Sequence, residues 1–423
     1  MTKRERLRTS LSHRQPDRIP IDMGSTSVTG MHILIVEKLR EYYGLERRPV
    51  HLVEPYQMLG MIDDDLGEIL NIDTVGIYPR NNMFGFPDEN WKEFRTRWGQ
   101  VILVPGDFNI VTDNNGDFLI FPEGDTTAPP SAKMPKSGYF FDTIIRQPEI
   151  VEEDLDPGDN LEEFKRLTKA DIQYWKVRAE ETADKGRGIV ANLGGTAVGD
   201  IALVPAPFLK YPKGIRDIAE WYMSTVMRPD YLKYVFDKQT DIAVDNLQAL
   251  HASIGDAIDV LFICGTDFGT QNSSFCSVDT FMDLYMPFYK KMNNWIHDHT
   301  AWKTFKHSCG AVEPFMNAFI ESGFDIINPV QVNASGMDPK ILKRKYGKDL
   351  VFWGGGVDTQ RVLPFGKPSD VERQVLELCD IFSKDGGFVF NTVHNVQANV
   401  PLENVVAMFN ALEKFNSSAG SLK

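Results

Sequence analysis

Two residues with metal-binding chemistry stand two positions apart in Phe305-Lys306-His307-Ser308-Cys309-Gly310. The pair follows the short apolar run 301–305, where a strand ends, and strand alternation sends residues i and i+2 to one face. His307 and Cys309 then point into one place, and imidazole and thiolate are common protein ligands of zinc. Alone, a His-x-Cys step is ordinarily a solvent-facing histidine beside an inert buried cysteine. The surrounding chain gives this one its weight.

The C-terminal half repeats one pattern. The apolar runs 260–264, 302–305, 324–327, 350–353 and 387–390 each lead into a polar, Gly-rich tip. Each tip precedes a helix-like segment, the pattern of βαβ units on a parallel sheet. This predicts an α/β fold, a (β/α)8 TIM barrel, in which the strand tips share one rim and the rim carries the site. Asp267, His307, Cys309, Gln331, Asp358 and His394 would then converge although they are scattered along the chain. His307, Cys309 and His394 are the candidate metal ligands. Asp267 and His307 are the candidate catalytic residues. Asp267, Gln331, Asp358, Asn192 (in the strand 189–193) and Met23 (closing the first short strand) are the candidate substrate contacts.

Composition sets the bounds. The chain has 423 residues, 42% hydrophobic and 25% charged, enough for a large core in one barrel with insertions. A net charge of −14 without a basic stripe argues against nucleic acid and anionic membranes as partners. The N-terminus lacks the apolar stretch of a signal peptide. No run approaches the ~18 apolar residues of a membrane helix. Four cysteines without a paired framework indicate a reducing cytoplasm, and Cys264 and Cys379 read as core. The composition leaves a homodimer open.

Along the chain, residues 3–13 read as a basic helix and 19–23 as a first strand. Helices are expected at 31–43 and 54–69, and a strand at 74–78. Residues 83–140 read as a β-rich insertion in the N-terminal half of a single 1–423 domain. Its β-like runs 98–104, 108–112 and 118–121 are separated by Pro-Gly, Asn-Asn-Gly and Pro-Glu-Gly turns. The tract 126–138 reads as irregular, 161–185 as one long helix, and 215–227, 229–253 and 402–415 as further helices.

Each candidate has a plainer role beside its chemical one. Asp267 in Gly265-Thr266-Asp267-Phe268-Gly269 could bind substrate or orient a ligand imidazole, or simply cap a turn. Gln331 could be a weak fourth ligand or a substrate-binding amide, and Asp358 a turn residue. Gly354-Gly355-Gly356 allows close backbone approach to a ligand but forms no dinucleotide fingerprint. The Walker A, His-Glu-x-x-His and Gly-x-Ser-x-Gly patterns are absent.

Several segments together resemble the uroporphyrinogen decarboxylase superfamily, and within it the cobalamin-dependent methyltransferase branch. They are Pro16-Asp17-Arg18-Ile19-Pro20, Thr266-Asp267-Phe268-Gly269-Thr270-Gln271, His307-Ser308-Cys309-Gly310, Gly323 through Gln331, Trp353-Gly354-Gly355 and Pro401-Leu402-Glu403-Asn404. The likeness spans most of the chain in the family's order and is weakest over 83–140. It implies a (β/α)8 barrel.

The decarboxylase proper carries an Arg-rich loop after the first strand to hold its substrate's carboxylates, whereas residues 21–31 here contain no Arg or Lys. Unpaired substrate charges there would be costly. The resemblance therefore points to the methylcobamide:thiol or O-demethylase type of methyltransferase, with tetrapyrrole decarboxylation as the alternative. That branch holds zinc with His-x-Cys and a later Cys. His307 and Cys309 match the first two, and counting back from Asn404 places the third at His394, a departure in residue type. The implied reaction moves a methyl group between a small substrate (a methoxylated compound, methylamine, methanol or thiol) and a cobalamin. No Asp-x-His-x-x-Gly signature is present, so the cobalamin would ride on a separate corrinoid protein.

Overall fold

The computed structural model describes residues 1–420. Barrel strand β1 is the segment 20–22, in which only Ile21 forms a bridge, parallel to Phe390. The others are β2 Thr74–Ile77, β3 Gly188–Ala191, β4 Val260–Cys264, β5 Lys303–His307, β6 Ile326–Asn328, β7 Val351–Trp353 and β8 Phe388–Val389. β2 to β8 form one seven-stranded parallel sheet in sequence order. β1 closes the circle. On one side Asp22 N–H donates to Phe390 O (2.9 Å) and Phe390 N–H to Pro20 O (2.8 Å). On the other, Asp73 N–H donates to Ile21 O (2.8 Å). The chain is a (β/α)8 barrel, as its repeating units predict.

Both faces of these strands are covered, so most read as continuous apolar runs, with β5 (Lys303-Thr304-Phe305-Lys306-His307) the exception. Alternation then separates two cores. One lies between the sheet and its helices. The other fills the barrel interior with Val190, Val260, Phe305, Ile326, Val351, Trp353 and Val389. Leu7 and Leu11 of the N-terminal helix α1 (Lys3–Leu11) plug its lower end. One step of two residues along four strands changes this lining from apolar to polar. Val190 gives way to Asn192, Phe305 to His307, Ile326 to Asn328 and Val389 to Asn391. The C-terminal end of the barrel is thus a polar cup on an apolar floor.

The β-rich insertion begins earlier than residue 83. Its first sheet orders Leu59–Gly60, Val50–Glu54, Val101–Val104 and Lys92–Arg95, and its second Ile110–Thr112, Phe118–Ile120, Ala132–Met134 and Asp142–Thr143. The helix expected at 54–69 is only Asp64–Ile69. Pro55 follows the strand, Glu54 accepts the N–H groups of Tyr56 and Gln57, and Met58 turns with φ 57°, which together make a hairpin. The tract 126–138 is not wholly irregular, because Ala132–Met134 pairs with Phe118–Ile120. The long helix of 161–185 is Lys169–Ala183, started by a Thr168/Asp171 capping box. No helix among the described residues is long and apolar enough to cross a membrane.

Leu7 is fully buried in the interior core. Leu7→Ala is expected to lower stability by about 2–5 kcal/mol, read from urea unfolding as a shifted midpoint with unchanged slope.

Candidate metal centre

His307 ends β5 and lies in the polar cup. Its Nδ1 is 2.6 Å from Asn328 Oδ1. The Asn328 amide is oriented by its other end, where Nδ2 donates to Trp353 O (2.8 Å). Oδ1 therefore faces the ring, Nδ1 carries the proton, and Nε2 presents a lone pair. Cys309 Sγ lies 3.3 Å from that Nε2. The His394 ring stands edge-on to His307, with centroids 5.5 Å apart. One donor atom from each of His307, Cys309 and His394 lies within 4.8 Å of the others. Zinc–ligand bonds of about 2.0–2.3 Å put tetrahedral neighbours ~3.3–3.8 Å apart, so the set fits after a small inward move. His307 is buried at the back, while Cys309 and His394 keep part of their surface open.

Each ligand is held by backbone geometry. The consecutive N–H groups of Ser308, Cys309 and Gly310 donate to Asn328 O, Asp267 Oδ1 and Gln331 Oε1, each at 2.7 Å. Gly310 has φ +89°, and a Cβ there would stand 2.5 Å from Gly269 C and O, so only glycine lets the two loops touch. His394 is fixed through its neighbour. Asn395 Oδ1 accepts Gly30 N–H (2.6 Å), and its Nδ2 donates to Ser27 O and Gln57 Oε1 (2.8 Å each). The Gly354-Gly355-Gly356 run serves strand packing, since a Cβ at Gly354 would meet Thr392 O at 2.9 Å.

Burial sets the protonation states. It lowers both His307 and His394 to about 4, so both imidazoles are neutral near pH 7. His394 Nδ1 accepts the Asn395 N–H (2.8 Å), so this ring gives up that bond or moves its proton to Nδ1 when it takes a metal. Burial also pushes the Cys309 thiol well above its usual range, and the neighbouring Asp267 charge adds to this. Asp267 is itself raised by burial, against the Cys309 N–H bond and the charge of Lys306.

The remaining candidates take distinct places. Asp267 touches the His-x-Cys loop directly. Gln331 braces it, with Nε2 donating to Gln271 Oε1 (2.9 Å). Asp358 accepts the N–H groups of Gln360 and Arg361 and the Asn333 amide, which closes the turn after β7. Asn192 donates to Ser25 O and Ile77 O, and buried Met23 lies 3.6 Å from Asn391 Nδ2. Three residues escaped the sequence reading. Asn328 carried a signal, because it follows Ile326 by two in the strand pattern. Asp200 carried none. It accepts Gly265 N–H (3.1 Å) and Ala202 N–H (3.0 Å), and burial raises it to about 6. Lys306 lay inside the motif but on the face opposite to His307.

Fold and site together define a (β/α)8 barrel whose C-terminal rim gathers a His/Cys/His donor set. Residues 156–415, which include all three donors, match the family model described as Uroporphyrinogen decarboxylase (URO-D), and the chain belongs to that family. Among solved structures, a methyltransferase from Methanosarcina mazei superposes with a TM-score of 0.54 at 16% identity, covering 98% of this chain and 99% of that one. It shares the fold from end to end. A D-psicose 3-epimerase (TM-score 0.31, 9% identity, 59% of this chain and 84% of that one) also superposes. So does a GH26 beta-mannanase from Bacteroides ovatus (0.32, 13%, 62% and 77%). No curated protein matches the sequence.

Asn328→Leu keeps the branched side-chain shape but removes the acceptor that fixes the His307 tautomer. Affinity for a divalent transition ion is expected to fall about 10–100-fold, measured by competition against a chromophoric chelator with the fold checked by circular dichroism.

Proposed function

We propose that this protein is a zinc-dependent methyltransferase. It moves a methyl group between a small substrate and a corrinoid carried on a separate protein that docks over the barrel rim. The observation carrying the reading is the His307/Cys309/His394 donor set, with its open side toward the rim. Two nitrogens and a sulfur suit zinc rather than magnesium or calcium, which take oxygen ligands. Three protein donors leave a fourth position for substrate, the pattern of catalytic zinc. Zinc held there would supply Lewis acidity, making a methylated oxygen, nitrogen or sulfur a better leaving group and a bound thiol more nucleophilic.

The protein's own residues do the rest. Asn328 holds His307 Nε2 ready as a donor. Asp267 holds the Cys309 N–H and sets its charge beside the thiol, which gives up its proton to solvent when a metal binds. The polar cup of Asn192 and Asn391 and the half-open side of Cys309 and His394 define where a small substrate sits. N/S/N ligation carries less negative charge than N/S/S and leaves the metal more electrophilic, which favours an ether, alcohol or amine as methyl donor.

The mouth also argues against the alternative, tetrapyrrole decarboxylation. The loop 21–31 holds Ser25, Thr26 and Thr29 bonded within or beside it and offers no cation to a polycarboxylate. The unpaired state of all four cysteines suits a reducing cytoplasm.

Purified protein is expected to hold about one zinc per chain and to demethylate methylcobalamin with a suitable acceptor. His307→Ala and Cys309→Ala should abolish both while the barrel stays folded. His394→Ala should weaken zinc strongly and His394→Cys should keep it with altered activity. Carbon dioxide release from uroporphyrinogen at enzyme-like rates would reverse the reading.

Zinc affinity should rise about one decade per pH unit between pH 5 and 8, because only the Cys309 thiol must lose a proton. Both imidazoles are already neutral above about 4. Imidazoles with the ordinary value near 6.5 would steepen the slope toward three below pH 6. Chelator competition across that range measures it.

A further inference from the structure

Lys306 is fully buried, yet among the described residues it makes no ion pair. Alternation along β5 puts Phe305 and His307 inside the barrel and Lys306 outside, between the sheet and its helices, where an apolar side chain would ordinarily pack. Its Nζ donates to Thr266 O (2.5 Å) and His307 O (2.8 Å). The remaining face of the ammonium looks onto aromatic rings, with the centroids of Phe268, Phe319 and Tyr289 at 4.9, 5.6 and 5.9 Å. Two carbonyls and three rings replace the water and the carboxylate that a lysine usually has.

The place of this contact is informative. The parallel ladder between β4 and β5 ends at the pair Cys264/Lys306, after a register shift. Beyond it the ladder stops, and the strand ends, which carry Asp267 on one side and His307 and Cys309 on the other, are joined by separate bonds: Phe268 N–H to Ser308 Oγ (3.0 Å), Cys309 N–H to Asp267 Oδ1 (2.7 Å) and, past the site, Ala311 N–H to Thr270 O (2.8 Å). The Lys306 ammonium adds a further tie there. One carbonyl it binds belongs to the residue just before Asp267, and the other belongs to His307 itself.

We propose that Lys306 is a positioning residue of the metal centre, tying the ends of β4 and β5 at the spacing that the Asp267–Cys309 contact and the His307/Cys309 donor pair require. The inference rests on the three-residue metal site but not on the methyl-transfer reading. The tie and the mere presence of a cation predict opposite signs. Removing a nearby positive charge favours a dication, whereas removing a tie loosens the donors.

The test is cobalt(II) titration of wild type and Lys306→Met, following the thiolate-to-cobalt absorption and the ligand-field bands. The Met variant is expected to bind at least about tenfold more weakly, with altered ligand-field intensities in the protein that does bind. Affinity within twofold of wild type, or tighter binding, overturns the proposal. A lower melting temperature with unchanged affinity does so too, because that is the mark of a purely structural lysine. Should Lys306→Met not fold, Lys306→Gln, a shorter neutral donor, is read in the same titration: weaker binding supports the tie, and equal or tighter binding overturns it. If wild type itself takes up no cobalt, the metal reading fails first and takes this inference with it.

Discussion

Everything at the rim depends on closure of the barrel at Ile21. That closure is thin, since a single bridged residue joins β8 to β2. What secures it is Asp73, fully buried just before β2. Its carboxylate accepts Ile21 N–H (2.9 Å), Arg6 of α1 (2.6 Å) and Arg18 (2.8 Å), while its own N–H donates to Ile21 O. A buried carboxylate facing two guanidiniums and a backbone donor is well satisfied, and loss of either cation would leave a buried charge short of partners. Two arginines near the mouth of the sequence therefore act at the opposite end of the barrel. Without this knot the last strand would keep only β7 as a fixed neighbour, and the loop that carries His394 would lose its anchor on the β1 side.

The site is best understood as the meeting of three strand ends. β4 supplies Asp267, β5 supplies His307 and Cys309, and β6 supplies Asn328, with Gln331 just beyond it. Each touches the next through a backbone N–H or a locked amide, so the donor pair is held before any metal arrives. The fourth contributor, His394, arrives from β8 and is secured through Asn395. Preorganisation of this kind reduces what a metal must rearrange on binding. The fully buried aromatic packing behind it, with Phe268 against Phe281 and Tyr285 at 4.9 and 5.0 Å, gives the Asp267 loop a rigid backing.

Much of this was legible in the amino-acid order. The five apolar runs with polar tips announced parallel strands, and the step from Phe305 to His307 announced an inward-facing ligand. The barrel topology made sense of His394, which no local spacing could have linked to Cys309. What stayed hidden was set by contacts distant in sequence or by local capping. The 54–69 segment has helical periodicity, but Pro55 and the Glu54 carboxylate convert its start into a hairpin. Gly354-Gly355-Gly356 looked open to a ligand and instead lets neighbouring strand ends close up. Asp200 sits in a loop without pattern, and its role appears only when Gly265 N–H lies beside it. Lys306 drew no reading of its own, because a sequence does not show that three aromatic rings wait around it.

The Asn395 side chain has a wider meaning. Its amide joins the loop after β1, the loop after β8 and Gln57 of the 50–60 hairpin. The insertion is thus wired to the ligand loop by one glutamine, although it contributes no donor of its own. Lineages of this fold could then retune the same centre by remodelling an appendage and leaving the barrel untouched. For a protein engineer, the hairpin is a dial outside the reaction chamber.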